Sequence, residues 1–237
     1  MEQTSVLERM PRNMWRTRNR MNFPLDSLAL YLPLWHPELS GSSFLSKDLN
    51  AYSCTVIGAT WGIQGRTFDG DDYISQATFL DVAPAKVTFE VWFNLTSNFG
   101  AGSPLRHFLF FKTNITGEDR IWFYLNQVDG KLTLTAEYND GGLSSFASDI
   151  ASWVGGTWYH AAITFDGATW LMYVDGVLQA GSIAKAGFMK DGTQSDFLIG
   201  SDLTNYFVGI MGEWRAYNRD LTLAEIQHNR NATKWRY

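Results

Sequence analysis

Three aspartates in one short turn are the residues whose types and spacing most directly suggest chemistry. Residues 69–72 are Asp-Gly-Asp-Asp, so one glycine, Gly70, lies between Asp69 and the adjacent pair Asp71 and Asp72. Carboxylate oxygens are hard ligands of the kind that Ca²⁺ binds, so this turn is a candidate calcium site. The same residues fit ordinary turn chemistry, because aspartate side chains accept hydrogen bonds from their own backbone. We favour the turn interpretation and expect no obligatory cofactor.

Paired carboxylates, which a glycoside hydrolase would need, are missing from the sequence pattern. Such enzymes place acidic residues at alternate positions of a strand, because every second side chain faces the same side. Glu90, Glu137 and Glu213 each lack an acidic residue two positions away. The four histidines stand in separate contexts, and none has the spacing of a metal-ligand set. We therefore expect no catalytic activity, and a hydrolase is the least favoured alternative.

Tryptophans are the candidates for contact with a sugar or a protein partner, because a large flat ring can stack on either. Trp35, Trp61 and Trp153 lie in or near segments that have the composition of loops, so they are the predicted contact residues. Other tryptophans lie inside strand-like segments and are assigned to the core or to a sheet face. These are Trp92, Trp122, Trp158 and Trp170.

Composition limits the class of partner. Charged residues make up 18% of the chain, aromatic residues 15%, and the formal net charge is −5. An acidic chain lacks the overall basic surface that binds nucleic acid. No stretch approaches the roughly 20 apolar residues that a membrane-spanning helix requires. We expect neither nucleic acid nor a membrane as a partner.

The first 26 residues differ from the rest of the chain, because they show little hydrophobic periodicity and are rich in arginine. They also lack the apolar segment of a secretory signal. Two interpretations are open for this basic arm: it docks on an acidic neighbour, or it packs on its own domain. We divide the chain into an arm, residues 1–26, and a domain, residues 27–237. The arginines of the arm are Arg9, Arg12, Arg16, Arg18 and Arg20.

The domain is predicted to consist of short strands between turns. In 'KLTLTAEY', residues 131–138, leucine alternates with threonine, which indicates a strand with one face in solvent. In 'WYHAAITF', residues 158–165, both faces are apolar, which predicts a central strand covered on each side. Thr222 followed by Glu225 forms a capping box that begins a helix. Many strands and one terminal helix predict two stacked antiparallel sheets.

Four stretches resemble, in order, the signatures of laminin G-like jelly rolls in the concanavalin A-like lectin/glucanase superfamily. They are 'RTFDGDDYIS', 'VTFEVWFNL', 'WYHAAITFDGATWLMYVDGVLQ' and 'YFVGIMGEWRAYNRDLTLAEIQ'. The resemblance covers residues 28–230. It implies an all-β fold, a two-sheet antiparallel jelly-roll sandwich with a short C-terminal helix, here preceded by an extended N-terminal arm.

The resemblance also bears on calcium. Many relatives hold an ion between the acidic turn and the closing strand, where the family pattern often contains G-x-I-D-E. Residues 209–213 of this chain are Gly-Ile-Met-Gly-Glu, so Gly212 replaces the aspartate. The loss of one carboxylate argues against the calcium site that Asp69, Asp71 and Asp72 would otherwise suggest.

The basic arm together with 'LALYLPLWHPELSGSSFLSKD' is similar to laminin G-like proteins of tailed bacteriophages. That similarity implies a virion structural or capsid decoration protein, made in the host cytoplasm and located in the virion. Such a protein would form homo-oligomers and dock on capsid or other virion subunits through its arm. The alternative is a carbohydrate-binding module, with or without calcium, that adheres to surface glycans. The two roles are compatible.

Overall fold

The structure, a computed structural model, describes residues 23–80, 84–112, 121–138, 142–185 and 196–237. Two antiparallel sheets pack face to face, and one short helix follows the last strand. The predicted all-β jelly-roll sandwich with a C-terminal helix is therefore confirmed.

The strands of both sheets are numbered in chain order. The first sheet contains the last strand of the chain, β18 (Val208–Tyr217). Across the sheet its strands are β16 (Val177–Ala184), β15 (Thr169–Val174), β14 (Trp158–Phe165), β7 (Val87–Leu95), β18, β5 (Gly65–Asp69) and β4 (Thr60–Gly62). An eighth strand, β1 (Leu28–Pro33), pairs with the C-terminal half of β18. The central position of β14, predicted from its apolar faces, is confirmed.

The second sheet also has eight strands. Across the sheet they are β12 (Leu143–Ala147), β11 (Leu132–Glu137), β10 (Ile121–Leu125), β9 (His107–Lys112), β17 (Phe197–Ile199), β6 (Tyr73–Gln76), β3 (Ser53–Ile57) and β2 (Ser43–Leu45). Two short strands of two residues each, β8 (Phe99–Gly100) and β13 (Ser152–Trp153), pair with one another as a separate ribbon.

The core lies between the sheets and follows from side-chain alternation. In β7 the odd-numbered residues, from Val87 to Leu95, belong to the main hydrophobic cluster, while Thr88, Glu90 and Trp92 point to the other side. That outer side of the first sheet is buried as well, because the C-terminal segment packs over it. The outer face of the second sheet carries aromatic and hydroxyl side chains in place of the buried charged groups.

The C-terminal segment begins with α1 (Leu223–Thr233) and ends in a 3₁₀ turn, Lys234–Arg236. The hydroxyl of Thr222 accepts a hydrogen bond from the Glu225 backbone, and the Glu225 carboxylate accepts one from the Thr222 backbone. The predicted capping box is confirmed, and it fixes where α1 starts. Within the described residues, no helix is both long and apolar enough to cross a membrane.

Candidate functional site

A row of side chains crosses the outer face of the second sheet from edge to edge. Consecutive members lie directly opposite one another in the strand register, so all of them point the same way. Hydroxyl groups occupy both ends of the row, and apolar side chains occupy its middle. In order, the aromatic–hydroxyl row contains Ser43, Thr55, Ser75, Leu198, Phe111, Trp122, Thr135 and Ser145.

Aromatic rings form the middle of this face. The rings of Phe111 and Trp122 have centroids 5.9 Å apart and planes 25° from parallel, and both side chains are partly exposed. Beside them, Phe108 and Tyr124 stack with centroids 5.1 Å apart and planes at 20°. The guanidinium of Arg106 lies 5.3 Å from the centre of the Tyr124 ring. Two adjacent ring pairs therefore form an apolar platform on the outer side of β9 and β10, whose accessible part is the Phe111–Trp122 pair because Phe108 and Tyr124 are buried.

The hydroxyls of β11 are less exposed than the sequence predicted. Thr133 and Thr135 are only 6% and 5% exposed, because the rings of Tyr124 and Trp122 lie directly opposite them on β10. The expectation of a solvent-facing strand is wrong for these two residues. The Thr135 hydroxyl is hydrogen-bonded to that of Ser145, with 2.8 Å between the oxygens. These polar groups are therefore held in place beside the aromatic platform.

Carboxylates are few on this face, and one of them, Asp196 just before β17, accepts a hydrogen bond from the Ser75 hydroxyl of the row. In the described strands of the second sheet, Glu137 is the single acidic residue. A glycosidase of the usual kind needs two carboxyl groups roughly 5–10 Å apart on either side of the scissile bond. These strands thus offer binding groups for a sugar chain but no pair of carboxylates for its hydrolysis.

A cluster of charged side chains is buried on the outer face of the first sheet. Arg215 Nε lies 3.7 Å from a carboxylate oxygen of Glu90 and 3.5 Å from one of Glu213. His160 Nε2 lies 3.7 Å from the other Glu90 oxygen. All four side chains are at most 1% exposed. Two glutamates that seemed isolated in sequence thus share one arginine, because β7 and β18 are neighbours.

The C-terminal segment seals this charged cluster. Asn229 of α1 donates a hydrogen bond to the Glu90 carboxylate, with a distance of 2.8 Å. Trp92, on the same face as Glu90, donates to the Thr233 hydroxyl at 2.9 Å. The ring of Tyr237 packs on Trp92 with centroids 4.7 Å apart. A cluster enclosed in this way joins the helix to the sheet and is closed to a large substrate.

Burial determines the ionisation of the cluster. Burial lowers the pKa of His160 well below its usual value, and the nearby charges of Arg215 and Arg230 lower it further. The imidazole is therefore neutral at neutral pH. Burial raises the pKa of Glu90, although Arg215 and the Asn229 hydrogen bond oppose that effect. Burial also disfavours the charge on Arg215, but Glu90 and Glu213 outweigh it and raise the pKa of that guanidinium.

The three predicted calcium ligands do come together. One ligand atom from each of Asp69, Asp71 and Asp72 can be chosen so that all lie within 4.8 Å of one another. The buried Asp72 carboxylate accepts a hydrogen bond from the Asp69 backbone N–H at 2.8 Å, as the turn interpretation predicts. The donor set fits a hard divalent cation, while one of its members already stabilises the turn. Calcium binding stays a prediction.

Gly212, which stands where the family often has aspartate, is required by the packing of the chain's own C-terminus. A Cβ atom at this position would lie 2.3 Å from Cε1 of Tyr237. Asp69 pairs with Val208, four residues before Gly212, which places Gly212 about 13 Å further along the strand. The position that an aspartate would occupy is therefore filled by a tyrosine ring and lies away from the acidic turn.

The three tryptophans predicted as contact residues differ in their surroundings. The prediction is wrong for Trp153, which is 1% exposed and donates a hydrogen bond to the Gly130 carbonyl at 2.8 Å. Trp35 donates to the Glu213 carboxylate at 3.3 Å, and the Arg236 guanidinium lies 3.5 Å above its ring. Trp61 is partly exposed at the edge of the first sheet.

The arginines of the predicted arm, Arg9, Arg12, Arg16, Arg18 and Arg20, lie outside the described residues, and their docking role stays a prediction. The last residues assigned to the arm contact the sandwich. The Phe23 ring lies 5.2 Å from that of Tyr31, and Asp26 forms an ion pair with Arg219 at 3.4 Å. Residues 23–26 therefore pack as part of the domain.

A laminin G-like family of the concanavalin A-like lectin/glucanases superfamily matches residues 68–227 of the 237. The chain belongs to this superfamily. The matched region runs from β5 through α1 and so contains most of both sheets. A search of curated protein sequences found no match. The resemblance noted from the four sequence signatures is confirmed at the level of the family and fold.

Three solved structures illustrate where this superfamily fold occurs. Domain 4 of AbnA, a GH43 extracellular arabinanase from Geobacillus stearothermophilus in complex with arabinotriose, is 18% identical, with 85% of this chain and 97% of that chain covered and a TM-score of 0.59. Trypanosoma rangeli sialidase is 16% identical, with 94% and 38% covered and a TM-score of 0.65. The botulinum neurotoxin serotype D binding domain is 10% identical, with 88% and 52% covered and a TM-score of 0.60.

These similarities concern the fold. This chain spans nearly the whole arabinanase domain but only about a third of the sialidase and half of the toxin domain. Trp122 was assigned from the sequence to the core or to a sheet face because it lies inside a strand, and the other rings of the platform were not singled out. Trp122 and Tyr124 alternate with Ile121, Phe123 and Leu125 in β10, and that alternation is the signal that separates a sheet face from the core.

Proposed function

We propose that this chain is a non-catalytic carbohydrate-binding module that holds a glycan on the aromatic–hydroxyl row. The observation that carries the proposal is the partly exposed Phe111–Trp122 pair at the centre of the row, with hydroxyl residues next to Trp122 on one side and beyond Leu198 on the other. Sugar rings present apolar C–H faces and hydroxyl edges, and they bind to aromatic rings combined with a few placed polar groups. The row supplies both kinds of contact.

The dimensions of the row favour an extended glycan. Eight strands spaced about 4.8 Å apart give a row about 34 Å long. A chain of several sugar units laid across the strands would meet hydroxyls at each end and rings in the middle. An oligosaccharide or polysaccharide is therefore a better match than a single sugar.

Two further observations support binding without catalysis. Glu137 is the single carboxylate in the described strands behind the row, and the Glu90–Glu213 pair is enclosed beneath α1. The arabinanase domain, which shares the fold over nearly its full length, was solved with arabinotriose bound. These points favour a binding module over a glycoside hydrolase.

A glycan array, run with and without calcium, followed by calorimetric titration of the best ligand tests the proposal. We expect Trp122→Ala and Phe111→Ala each to weaken binding at least tenfold, about 1.4 kcal/mol. Trp235→Ala is the matched control, because Trp235 is an exposed tryptophan of the C-terminal segment, which packs on the outer face of the first sheet. Absence of any glycan ligand, or equal losses in Trp122→Ala and Trp235→Ala, would overturn the proposal.

We also propose that the module serves in a bacteriophage virion, where its arm docks it on capsid or other virion subunits as a homo-oligomer. The support is the arginine-rich arm and its similarity to phage laminin G-like proteins. The test is a truncated protein that lacks part of the arm. Because Phe23 and Asp26 contact the domain, the truncation should remove residues 1–22 only. The truncated protein should fold but fail to enter particles; normal incorporation would refute this role.

A further inference from the structure

A recess lies at the edge of the sandwich, beyond the Ser43 end of the row. It is a cavity of about 320 Å³ lined by the segment before β2, by the end of β3 and the turn after it, and by β4 and β5 of the first sheet. Ser42, which lines it, immediately precedes Ser43, the first residue of the aromatic–hydroxyl row. The volume is at the lower end of the range for small-molecule sites.

The wall of this cavity contains a buried cation that no carboxylate of the described residues neutralises. Arg66 is 2% exposed, and its guanidinium donates to the backbone carbonyls of Leu39, Gly41 and Ala59, the last at 2.6 Å. Within the described chain no acidic side chain pairs with Arg66, and its Nε has no hydrogen-bond partner. A buried positive charge without a counter-ion is costly unless a partner of opposite charge can reach it.

A second donor lies beside the first. Trp61 is directly opposite Arg66 in the β4–β5 pair, so the two side chains share one face of the sheet. The indole Nε1 of Trp61 is buried and has no hydrogen-bond partner among the described residues. Ser40, Ser42 and Thr60 add hydroxyls to the lining. The cavity therefore combines a cation, an unpaired ring N–H, a flat ring and hydroxyls.

We infer that this cavity binds an anionic sugar unit, whose carboxylate or sulfate meets Arg66 and Trp61 while its ring packs against the indole. The inference rests on the proposed function, because it assigns the cavity to one end of a glycan lying on the row. A charge-assisted hydrogen bond from a guanidinium is stronger than a neutral one, so the anionic group should dominate specificity. Neutral sugars lack this contact.

The test compares three forms of one oligosaccharide, for example an oligogalacturonate, its methyl ester and a sulfated analogue, by calorimetric titration. We expect the wild-type protein to bind a charged form at least tenfold more tightly than the ester, with the preference falling as salt rises. Whichever charged form binds more tightly shows whether the cavity prefers a carboxylate or a sulfate. Equal binding of all three forms overturns the inference.

Variants separate this cavity from the row. Trp61→Phe keeps a ring but removes the N–H, and Arg66→Lys keeps the charge but changes the donor geometry; thermal melting shows whether each folds. Both should weaken binding of the charged form more than binding of the ester, and so reduce the preference for the charged form. If Trp122→Ala abolishes binding of every form and Trp61→Phe changes nothing, the row stands and the cavity inference fails. If Trp61→Phe weakens binding and Trp122→Ala does not, the cavity inference is supported and the proposed role of the row is wrong. If no form binds to the wild-type protein, both proposals are wrong.

Discussion

Arg215 shows how one residue converts potential catalytic groups into structural ones. Its guanidinium contacts Glu90 and Glu213, both fully buried, while Asn229 donates to the same Glu90 oxygen that faces Arg215, and His160 lies against the other. Taking such charges out of water is costly, so each partner is needed to offset the burial of the others. The cluster therefore depends on the exact charge of every member.

Asn229→Asp tests this dependence with almost no change in shape. The substitution replaces the N–H donor to Glu90 with a third carboxylate, in a buried site that already contains Glu90 and Glu213. We expect the free energy of unfolding to fall by about 2–4 kcal/mol. Urea denaturation measures the change, and Asn231→Asp, at an exposed position of the same helix, should have little effect. Equal effects of the two substitutions would contradict the role of the cluster.

At the scale of elements, the C-terminal turn is fitted to the closing strand. Gly212 of β18 leaves the space that the ring of Tyr237 occupies, and that ring packs on Trp92 and Trp158 at centroid distances of 4.7 Å and 4.5 Å. The absence of a side chain at Gly212 therefore allows Tyr237 to pack against the first sheet. This contact explains why an aspartate is absent at position 212.

Gly212→Ala should displace the Tyr237 ring, because a Cβ would come within 2.3 Å of it. We expect a loss of about 1–3 kcal/mol in stability, measured by thermal melting. In a chain that ends at Arg236 the same substitution should cost much less, so the double-mutant cycle isolates the contact. Gly62→Ala, in β4 with only an ordinary contact at 3.5 Å, is the control. Additive effects of Gly212→Ala and the truncation would contradict this packing.

The sequence predicted elements better than it predicted sites. Alternation placed β14 in the centre of a sheet, and the Thr222–Glu225 spacing located the start of α1. Trp153 was misassigned because a two-residue strand in a glycine-rich segment has no periodicity, although it buries the ring. The charged cluster joins strands far apart in the chain, and the aromatic–hydroxyl row depends on the register of eight strands, which local patterns do not specify.

At the scale of the whole molecule, the two outer faces of the sandwich have different roles. The first sheet is covered by α1, and its outer polar groups are used internally. The second sheet carries the aromatic–hydroxyl row. Between the sheets, His107 lies against Phe99 and Phe207, and burial lowers its pKa to about 4. This histidine therefore links the stability of the sandwich to pH.

We expect the sandwich to lose stability in mild acid. His107 is neutral in the folded state down to about pH 4 but is protonated in the unfolded state below about pH 6.5, so protons favour unfolding between these values. The slope is about 1.4 kcal/mol per pH unit for one such group. Denaturant unfolding of wild type and His107→Phe at several pH values isolates the effect. The two profiles should diverge between pH 6.5 and 4; parallel profiles would contradict it.

The most direct measurement of the central claim is an NMR titration that follows the indole N–H signals of the ten tryptophans as a glycan ligand from the array is added. We predict that the Trp122 signal shifts with saturation at the calorimetric affinity, while those of the core residues Trp153, Trp170 and Trp214 stay fixed. Binding accompanied by shifts of Trp35 or Trp235 alone, with the Trp122 signal unchanged, would show that the glycan is held elsewhere and that the row is not its site.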